Sequence, residues 1–256
     1  IGKMAQVSRK EQVTALAGSG SMLAIGAAAW FANLGDQVET WVLPLADDVA
    51  AVAATGSIKF TGTVQEAGIL SVYVAGELVR VPAVLDDTAE AMAEKLVDVV
   101  NAKGALTVTA TVQAAVVTLT AKNKGTVGND LDVRLNYYHH DESTPKGLAV
   151  VITAMSGGAG KPVLDDVLAD LGDKQFDVII NPYLDSASLI ALEEEMEDRW
   201  GPMRAIDGMV FSAKCSGYAA LSTLGNGRNS PFVCISGLPQ SPTHPFSIAA
   251  AVAGQA

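Results

Sequence analysis

The chain has 256 residues, of which 49% are hydrophobic and 18% charged, which is enough apolar material for one large core or two moderate ones and excludes a chain disordered throughout. Its 28 acidic residues outnumber its 17 basic residues, and a formal net charge of −11 gives a polyanion no general attraction, so direct nucleic-acid binding is not expected. Two cysteines, Cys215 and Cys234, cannot form a disulfide framework and match no zinc-ligand spacing. We expect buried thiols in a cytoplasmic, soluble protein, since no signal peptide or 20-residue apolar span is recognisable.

The first 55 residues predict two helices and a strand. Apolar side chains recur with helical spacing between Gln12 and Asn33, interrupted at Gly18-Ser19-Gly20 and ended by Gly35. The segment ETWVLPL (39–45) predicts a strand, and residues 47–56 predict a connection.

Between residues 57 and 154 the apolar period changes to two. The pattern predicts strands at Ile58 and Phe60, a hairpin over 70–81 that turns at Ala75-Gly76-Glu77, and strands at 106–112, 116–121, 131–138 and 148–155. One helix interrupts them, capped by Thr88. Its apolar stripe is predicted to comprise Ala89, Met92, Ala93, Leu96 and Val100.

From residue 163 onward helices and strands alternate. Helices are predicted at 163–171, from Asp185 with the stripe Leu189, Leu192, Met196 and Trp200, at 218–224 and at 246–256. Strands are predicted at 176–181, of the kind buried on both faces, at 208–212 and at 232–235. This alternation predicts right-handed crossovers and a mostly parallel sheet.

The predicted fold class is therefore α/β with an inserted β-rich module. Because the strand at 39–45 needs a partner, we expect it to join the later sheet. Residues 1–55 together with 156–256 would then form a discontinuous α/β domain, and residues 56–155 an inserted, β-sandwich-like outer domain that carries one helix. The inserted segment has 11 acidic and 8 basic residues, so it is closer to neutral than the rest.

Several motifs that suggest chemistry do not hold up. The segment SGGAGKP (156–162) resembles a phosphate-binding loop, but Met155 stands where its first glycine belongs and Pro162 replaces the magnesium-binding hydroxyl residue. Its glycines, Gly157, Gly158 and Gly160, are instead candidate hinge residues. The adjacent His139 and His140 lack a third ligand at a recognisable spacing, which favours a solvated loop over a metal site.

Neither a nucleophile motif nor a dinucleotide fingerprint is present, and the acidic run at 193–198 predicts a solvated helix face. No catalytic, metal or cofactor site is expected. Two loops, WGPMR (200–204) and LGNGRNSP (224–231), precede strands and should lie at the amino-terminal edge of the sheet, opposite the edge where ligands usually bind. They therefore favour an architectural role.

Five segments of the chain resemble the contractile-tail sheath proteins of Mu-like bacteriophages and prophages. They are GSIKFTG (56–62), KGTVGNDLDVRLNYY (124–138), LAVVITAMSGGAG (148–160), DRWGPMRAIDG (198–208) and LSTLGNGRNSP (221–231). They occur in the same order in that family, and the similarity extends over nearly the whole chain.

This resemblance implies a structural subunit that polymerises around the tail tube in a helical assembly and contracts to drive the tube through the host envelope. It would be made in the host cytoplasm and located in the virion tail. The chain would be a fragment lacking an N-terminal arm and a C-terminal region that faces the tube, and would be monomeric alone. Its partners would be other sheath subunits, joined by strands added to neighbouring sheets.

The candidate intersubunit or loop residues are Trp200, Pro202, Arg204, Asn226, Arg228 and Asn229. For these, the competing interpretation is that Trp200 anchors a core and the asparagines cap turns. Two other functions stay open. One is an enzyme on a doubly wound sheet, which would require a ligand at the carboxyl edge of the strands. The other is a glycan-binding β module, suggested by Tyr137 and Tyr138.

Overall fold

A computed structural model describes residues 2–35, 37–239 and 241–256. The chain divides into two compact units: unit 1 comprises Ile1–Asp48, Lys161–Ser241 and Pro245–Ala256, and unit 2 comprises Val49–Gly160 and Pro242–His244. Among the described residues, none of the helices has the length and apolar character needed to cross a membrane. The architecture is mixed α/β, with several separate sheets.

Unit 1 begins with four short elements: β1 (Ala5–Val7), α1 (Lys10–Ala17), α2 (Met22–Leu34) and β2 (Thr40–Val42). The helices end and restart around Gly18 as predicted, and the Ser21 hydroxyl caps α2 by accepting a hydrogen bond from the Ala24 N–H. The expectation that the strand at 39–45 joins the later sheet is wrong. It pairs antiparallel with β1, because Val7 and Val42 share a small core with the helices.

Unit 2 contains seven strands and one α-helix among its described residues. They are β3 (Ala53–Gly62), β4 (Gly68–Val74), β5 (Glu77–Ala83), α3 (Ala89–Ala102), β6 (Val108–Gln113), β7 (Val116–Lys124), β8 (Val133–Leu135) and β9 (Leu148–Ser156). The strands form two antiparallel sheets, ordered β6-β7-β3-β9 and β5-β4-β8. The predicted boundary at residue 55 falls inside β3, which is longer at its start than the alanine-rich sequence suggested.

One hydrophobic core serves both sheets of unit 2. The predicted hairpin turn is present, with Ala75 and Gly76 both at positive φ, and Thr88 caps α3 through the Ala91 N–H. All five residues of the predicted apolar stripe are buried: Ala89, Met92, Ala93, Leu96 and Val100. They pack in the same cluster as side chains from β3, β4, β5, β6, β7 and β9.

The rest of unit 1 alternates helix and strand. Its elements are α4 (Asp165–Leu168), β10 (Val178–Ile180), α5 (Ser186–Trp200), β11 (Met209–Cys215), α6 (Tyr218–Asn226), β12 (Val233–Leu238) and α7 (Pro245–Ala253). The three strands are parallel in the order β10-β11-β12, as the alternation predicted. β10 is only half-buried, so the prediction of a strand covered on both faces is wrong; it is a three-residue edge strand of the described sheet.

Candidate intersubunit surface

Helix α5 carries most of the predicted loop contacts, and its start is fixed by Asp185. The Asp185 carboxylate accepts hydrogen bonds from the Ser188 N–H (3.0 Å) and the Ser188 hydroxyl (2.6 Å), and it is paired with Lys161. Burial raises the pKa of this carboxyl, but the bonds from Lys161 and Ser188 outweigh it and hold the pKa below its ordinary value of 3.8. The charged cap therefore matches the positive end of the helix dipole.

The inner face of α5 is buried, but it ends on a cation. Leu189, Leu192 and Met196 are buried as predicted, whereas Trp200 is 62% exposed, so the interpretation of Trp200 as a core anchor is wrong. Arg199 takes the inner position instead and is 0% exposed. Its guanidinium donates to the carbonyls of Gly172 (2.8 Å) and Lys174 and lies 3.5 Å from the Glu195 carboxylate. Arg199 thus fastens the loop before β10 to the end of the helix.

Arg204, which is partly exposed, also holds the end of α5 to the loop before β10. Its guanidinium donates to Asp198 (2.8 Å), to Glu195 (3.1 Å) and to the Gly172 carbonyl (2.6 Å), and its Nε donates to Asp173 (3.1 Å). The bond to Asp198, followed by Glu195, raises the pKa of the guanidinium further. Two arginines here offset the acids that crowd the negative end of the α5 dipole. Arg204 consequently has an internal, stabilising role.

Trp200, Pro202 and Met203, which lie between Arg199 and Arg204 in the chain, are exposed. Met203 is 94% exposed, and together with Pro202, Glu194 and Glu197 it lines a shallow depression of about 400 Å³. We call Trp200, Pro202, Met203, Glu194 and Glu197 the α5 terminal surface. An exposed apolar centre with an acidic rim has the composition of a protein contact surface, and it is held on a rigid, doubly clamped corner.

The second predicted loop also contacts α5. Arg228 donates to Glu193 (3.3 Å) near the middle of the helix and to the Ser186 hydroxyl (2.9 Å) at its start. Asn226 and Asn229 are exposed. The structure thus brings Arg204 and Arg228 to one helix at different points, and the intersubunit role of all six predicted residues stays a prediction.

The predicted hinge glycines are not alike. A Cβ atom on Gly158 would lie 2.4 Å from the Gly125 carbonyl oxygen, and one on Gly160 (φ +89°) would lie 2.8 Å from Ala51. The Asn129 side chain also exchanges two hydrogen bonds with the backbone of Gly158. Glycine at 158 and 160 thus serves close packing within unit 2, whereas Gly157 (φ +77°) faces open space. The hinge role stays a prediction, with Gly157 its best candidate.

The carboxyl edge of the parallel sheet is the place where an enzyme would hold a ligand. Asn181 follows β10 there, and its amide donates to the Tyr183 carbonyl (2.6 Å) and to the Ser212 hydroxyl (3.2 Å), which itself donates to the Asn181 carbonyl (2.8 Å). Burial, then the charge of Asp47, raises the pKa of Tyr183 to about 12, which keeps it neutral. These polar groups satisfy one another, which is the arrangement of a structural network.

The remaining candidates for chemistry are two histidines and two cysteines. His139 and His140 are exposed in a turn, and no group of three metal-ligating side chains occurs in the described part of the chain. Cys215 and Cys234 are half-buried, less covered than we expected. Sequence reasoning missed Arg199, although the spacing of Leu189, Leu192 and Met196 extends to residue 199 as readily as to residue 200.

Comparison with known proteins finds a relative of this sequence. Over 228 residues, 89% of the chain, the sequence is 37% identical to the Mu-like prophage FluMu tail sheath protein of Haemophilus influenzae. The chain is homologous to a Mu-like prophage tail sheath protein. The match covers 46% of that relative, so the chain spans about half the length of the sheath protein it matches.

No family model matches the chain. A sheath tail protein from Listeria innocua aligns over 99% of the chain and 52% of its own length at 11% identity, but with a TM-score of 0.37 this alignment carries no argument about the fold.

Proposed function

We propose that the chain is part of a structural subunit of a contractile phage-type tail sheath, and not an enzyme. In this role the complete subunit polymerises around a tail tube and contracts to drive it through the host envelope. The observation that supports this most is the 37% identity to a tail sheath protein over 89% of the chain. The proposed location is the virion tail, after assembly in the host cytoplasm.

The organisation in two units suits a passive building block. In the proposed subunit, unit 1 corresponds to the discontinuous sheath domain predicted as residues 1–55 with 156–256, and unit 2 to the outer domain predicted as residues 56–155. Contraction would move such bodies rigidly about their connectors. The energy would come from a lower-energy packing of the contracted sheath, with no bound cofactor.

We assign the α5 terminal surface to contacts with a neighbouring sheath subunit. It exposes Trp200 and Met203 on a corner that Arg199 and Arg204 hold rigid, so a partner could bind it without ordering a loop first. Repeated head-to-tail contacts of this kind do not close, which is how a helical tube forms. The tube itself would be contacted by regions outside this chain.

Light scattering separates the role of this chain from that of the complete subunit. The 256-residue chain at micromolar concentration should scatter as a monomer of 26.4 kDa, whereas the full-length subunit should form large particles under the same conditions. Long filaments from the 256-residue chain alone would contradict the proposal that assembly needs parts of the full-length subunit outside this chain.

A further inference from the structure

Unit 2 has a groove that is not part of the proposed intersubunit surface. It lies between the start of β4, the neighbouring strand β5 and the segment after β8, and has a volume of about 760 Å³, within the usual range for small-ligand sites. Ser71 and Arg80, which are cross-strand partners in β4 and β5, form part of its wall, and Tyr138 and Lys146 line the opposite segment.

The Tyr138 ring at this groove is both exposed and rigidly held. It is 60% exposed, yet the Tyr137 ring packs edge-on against it at 5.1 Å between centroids and the Tyr73 ring at 6.3 Å. The Glu142 carboxylate accepts a hydrogen bond from the Tyr138 N–H (3.2 Å), and the Tyr138 carbonyl accepts from the Glu142 N–H (2.9 Å). More than half of Tyr138 is thus displayed to solvent beside two rings that restrict its motion, so it has little freedom left to lose on binding.

A buried hydrogen bond fixes Glu142, the residue that accepts from the Tyr138 N–H. The hydroxyl of Tyr73, which is 5% exposed, donates to Glu142 at 2.7 Å. Burial, then the Glu142 carboxylate, raises the pKa of Tyr73 to about 12, so the hydroxyl keeps its proton. Burial raises the pKa of Glu142, but the hydrogen bonds from Tyr73 and the Tyr138 backbone outweigh it and lower the pKa overall. Tyr73 therefore stays protonated and Glu142 stays ionised around neutral pH, so the hydrogen bond between them is kept.

The charges around the groove restrict the class of ligand. Glu66, Asp141 and Glu142 face it together with only two cations, Arg80 and Lys146, so a polyanion is not attracted. No set of three metal-ligating side chains occurs among the described residues, these acids included. What the lining offers is carboxylates that accept hydrogen bonds and cations that donate them, beside an aromatic face.

We infer that this groove binds a neutral oligosaccharide, with Tyr138 as the stacking platform. A sugar ring has one face of C–H groups, which packs on the electron-rich face of an aromatic ring, and a rim of hydroxyls that both donate and accept hydrogen bonds. Asp141 would accept from such hydroxyls and Arg80 and Lys146 would donate to them. A sheath subunit with this groove would bind surface sugars, an activity independent of polymerisation.

A printed glycan array tests this with the 256-residue chain. The array should carry neutral oligosaccharides of hexoses and N-acetylhexosamines, with sialylated and sulfated oligosaccharides as the comparison class. We expect retention on neutral glycans only. Retention on no neutral glycan, or on the acidic class alone, would overturn the inference while leaving the sheath role intact, because no assembly is needed for the measurement.

Variants of the chain, measured on the glycans that the unaltered chain binds, locate the binding site. Tyr138→Ala should weaken binding about tenfold or more, since the stacking face is lost, and Tyr138→Phe should retain it. Tyr218→Ala is the matched control, because Tyr218 is 84% exposed but lies in unit 1. This variant should bind the glycans as the unaltered chain does. Equal binding by Tyr138→Ala and the unaltered chain, at matched melting temperature, would refute the site.

Discussion

At the scale of single residues, the corner at the end of α5 depends on a buried cation. Arg199 has no exposed surface, and the Gly172 and Lys174 carbonyls that it satisfies are held by its guanidinium. Removing one member of such a buried arrangement costs more than the net gain from forming it, because the Lys174 carbonyl loses its guanidinium donor and the Gly172 carbonyl keeps only the one from Arg204.

Arg199→Met should therefore lower the free energy of unfolding of unit 1 by about 3 kcal/mol. Urea unfolding followed by tryptophan fluorescence measures this directly, since Trp30, Trp41 and Trp200 all lie in unit 1. Arg9→Met is the control, because Arg9 is exposed and does not cap α1 with its side chain. A loss for Arg199→Met no larger than that of the control would show that the clamp is not stabilising.

Glycines at 158 and 225 should respond oppositely to alanine. Gly158→Ala should destabilise unit 2 by about 2 kcal/mol or more, because the new methyl group meets the Gly125 carbonyl. Gly225 lies inside α6 with nothing near its Cβ position, so Gly225→Ala should stabilise unit 1 by about 0.5–1 kcal/mol.

Circular dichroism melting of the two variants beside the unaltered chain measures both effects. The Gly158→Ala loss should appear in the part of the transition that tryptophan fluorescence does not follow. A neutral effect of Gly158→Ala would mean that the segment yields easily, as a hinge would.

Residue identity also explains where sequence reasoning failed on α5. Positions 199 and 200 continue the inner stripe almost equally well, and the pattern favours tryptophan because apolar side chains are usually inside. The arginine is inside because its guanidinium donates to two loop carbonyls of unit 1, one of which also accepts from Arg204. Those carbonyls come from residues 172 and 174, far along the chain, so no local pattern could reveal them.

At the scale of elements, local signals were sufficient wherever a cap and a stripe coincided. Thr88 and Asp185 start α3 and α5 as predicted, and the turn at Ala75-Gly76 joins β4 to β5. The pairing of β2 with β1 was not predictable, because a three-residue strand such as Ala5–Val7 carries too little periodicity to be recognised.

The Asp185 cap predicts how α5 responds to acid. Its pKa is lower in the folded protein than the ordinary 3.8, so its contribution is fully present above the unfolded pKa and is lost as pH falls through the folded pKa. Asp185→Asn should lower the stability of unit 1 by about 1 kcal/mol at pH 7. The difference from the unaltered chain should shrink below pH 4.

Urea unfolding of unit 1 at pH 7 and at pH 3 checks this prediction. Asp170→Asn is a suitable control, since Asp170 is exposed in the short 3₁₀ turn after α4. An Asp185→Asn effect that is equal at both pH values would assign the stabilisation to the shape of the cap and not to its charge.

At the scale of the whole molecule, the proposed sheath subunit is a building block whose assigned contact surface lies on a corner held by Arg199 and Arg204. The sequence predicted an α/β part and a β-rich part from the change in apolar period, because that period is a property of each segment alone. It could not predict which exposed side chains form a surface, since Met203 and Glu194 come together only when α5 ends and the chain turns back.

Electron microscopy of the full-length sheath subunit, with and without Met203→Glu, tests this account most directly. We predict that the unaltered subunit forms long hollow tubes. Met203→Glu should leave the subunit folded but reduce the number of tubes about tenfold or more, because a charge enters the apolar centre of the α5 terminal surface. Tubes equal in number and length for both proteins would contradict the assigned surface, and a full-length subunit that stays dispersed would contradict the sheath role itself.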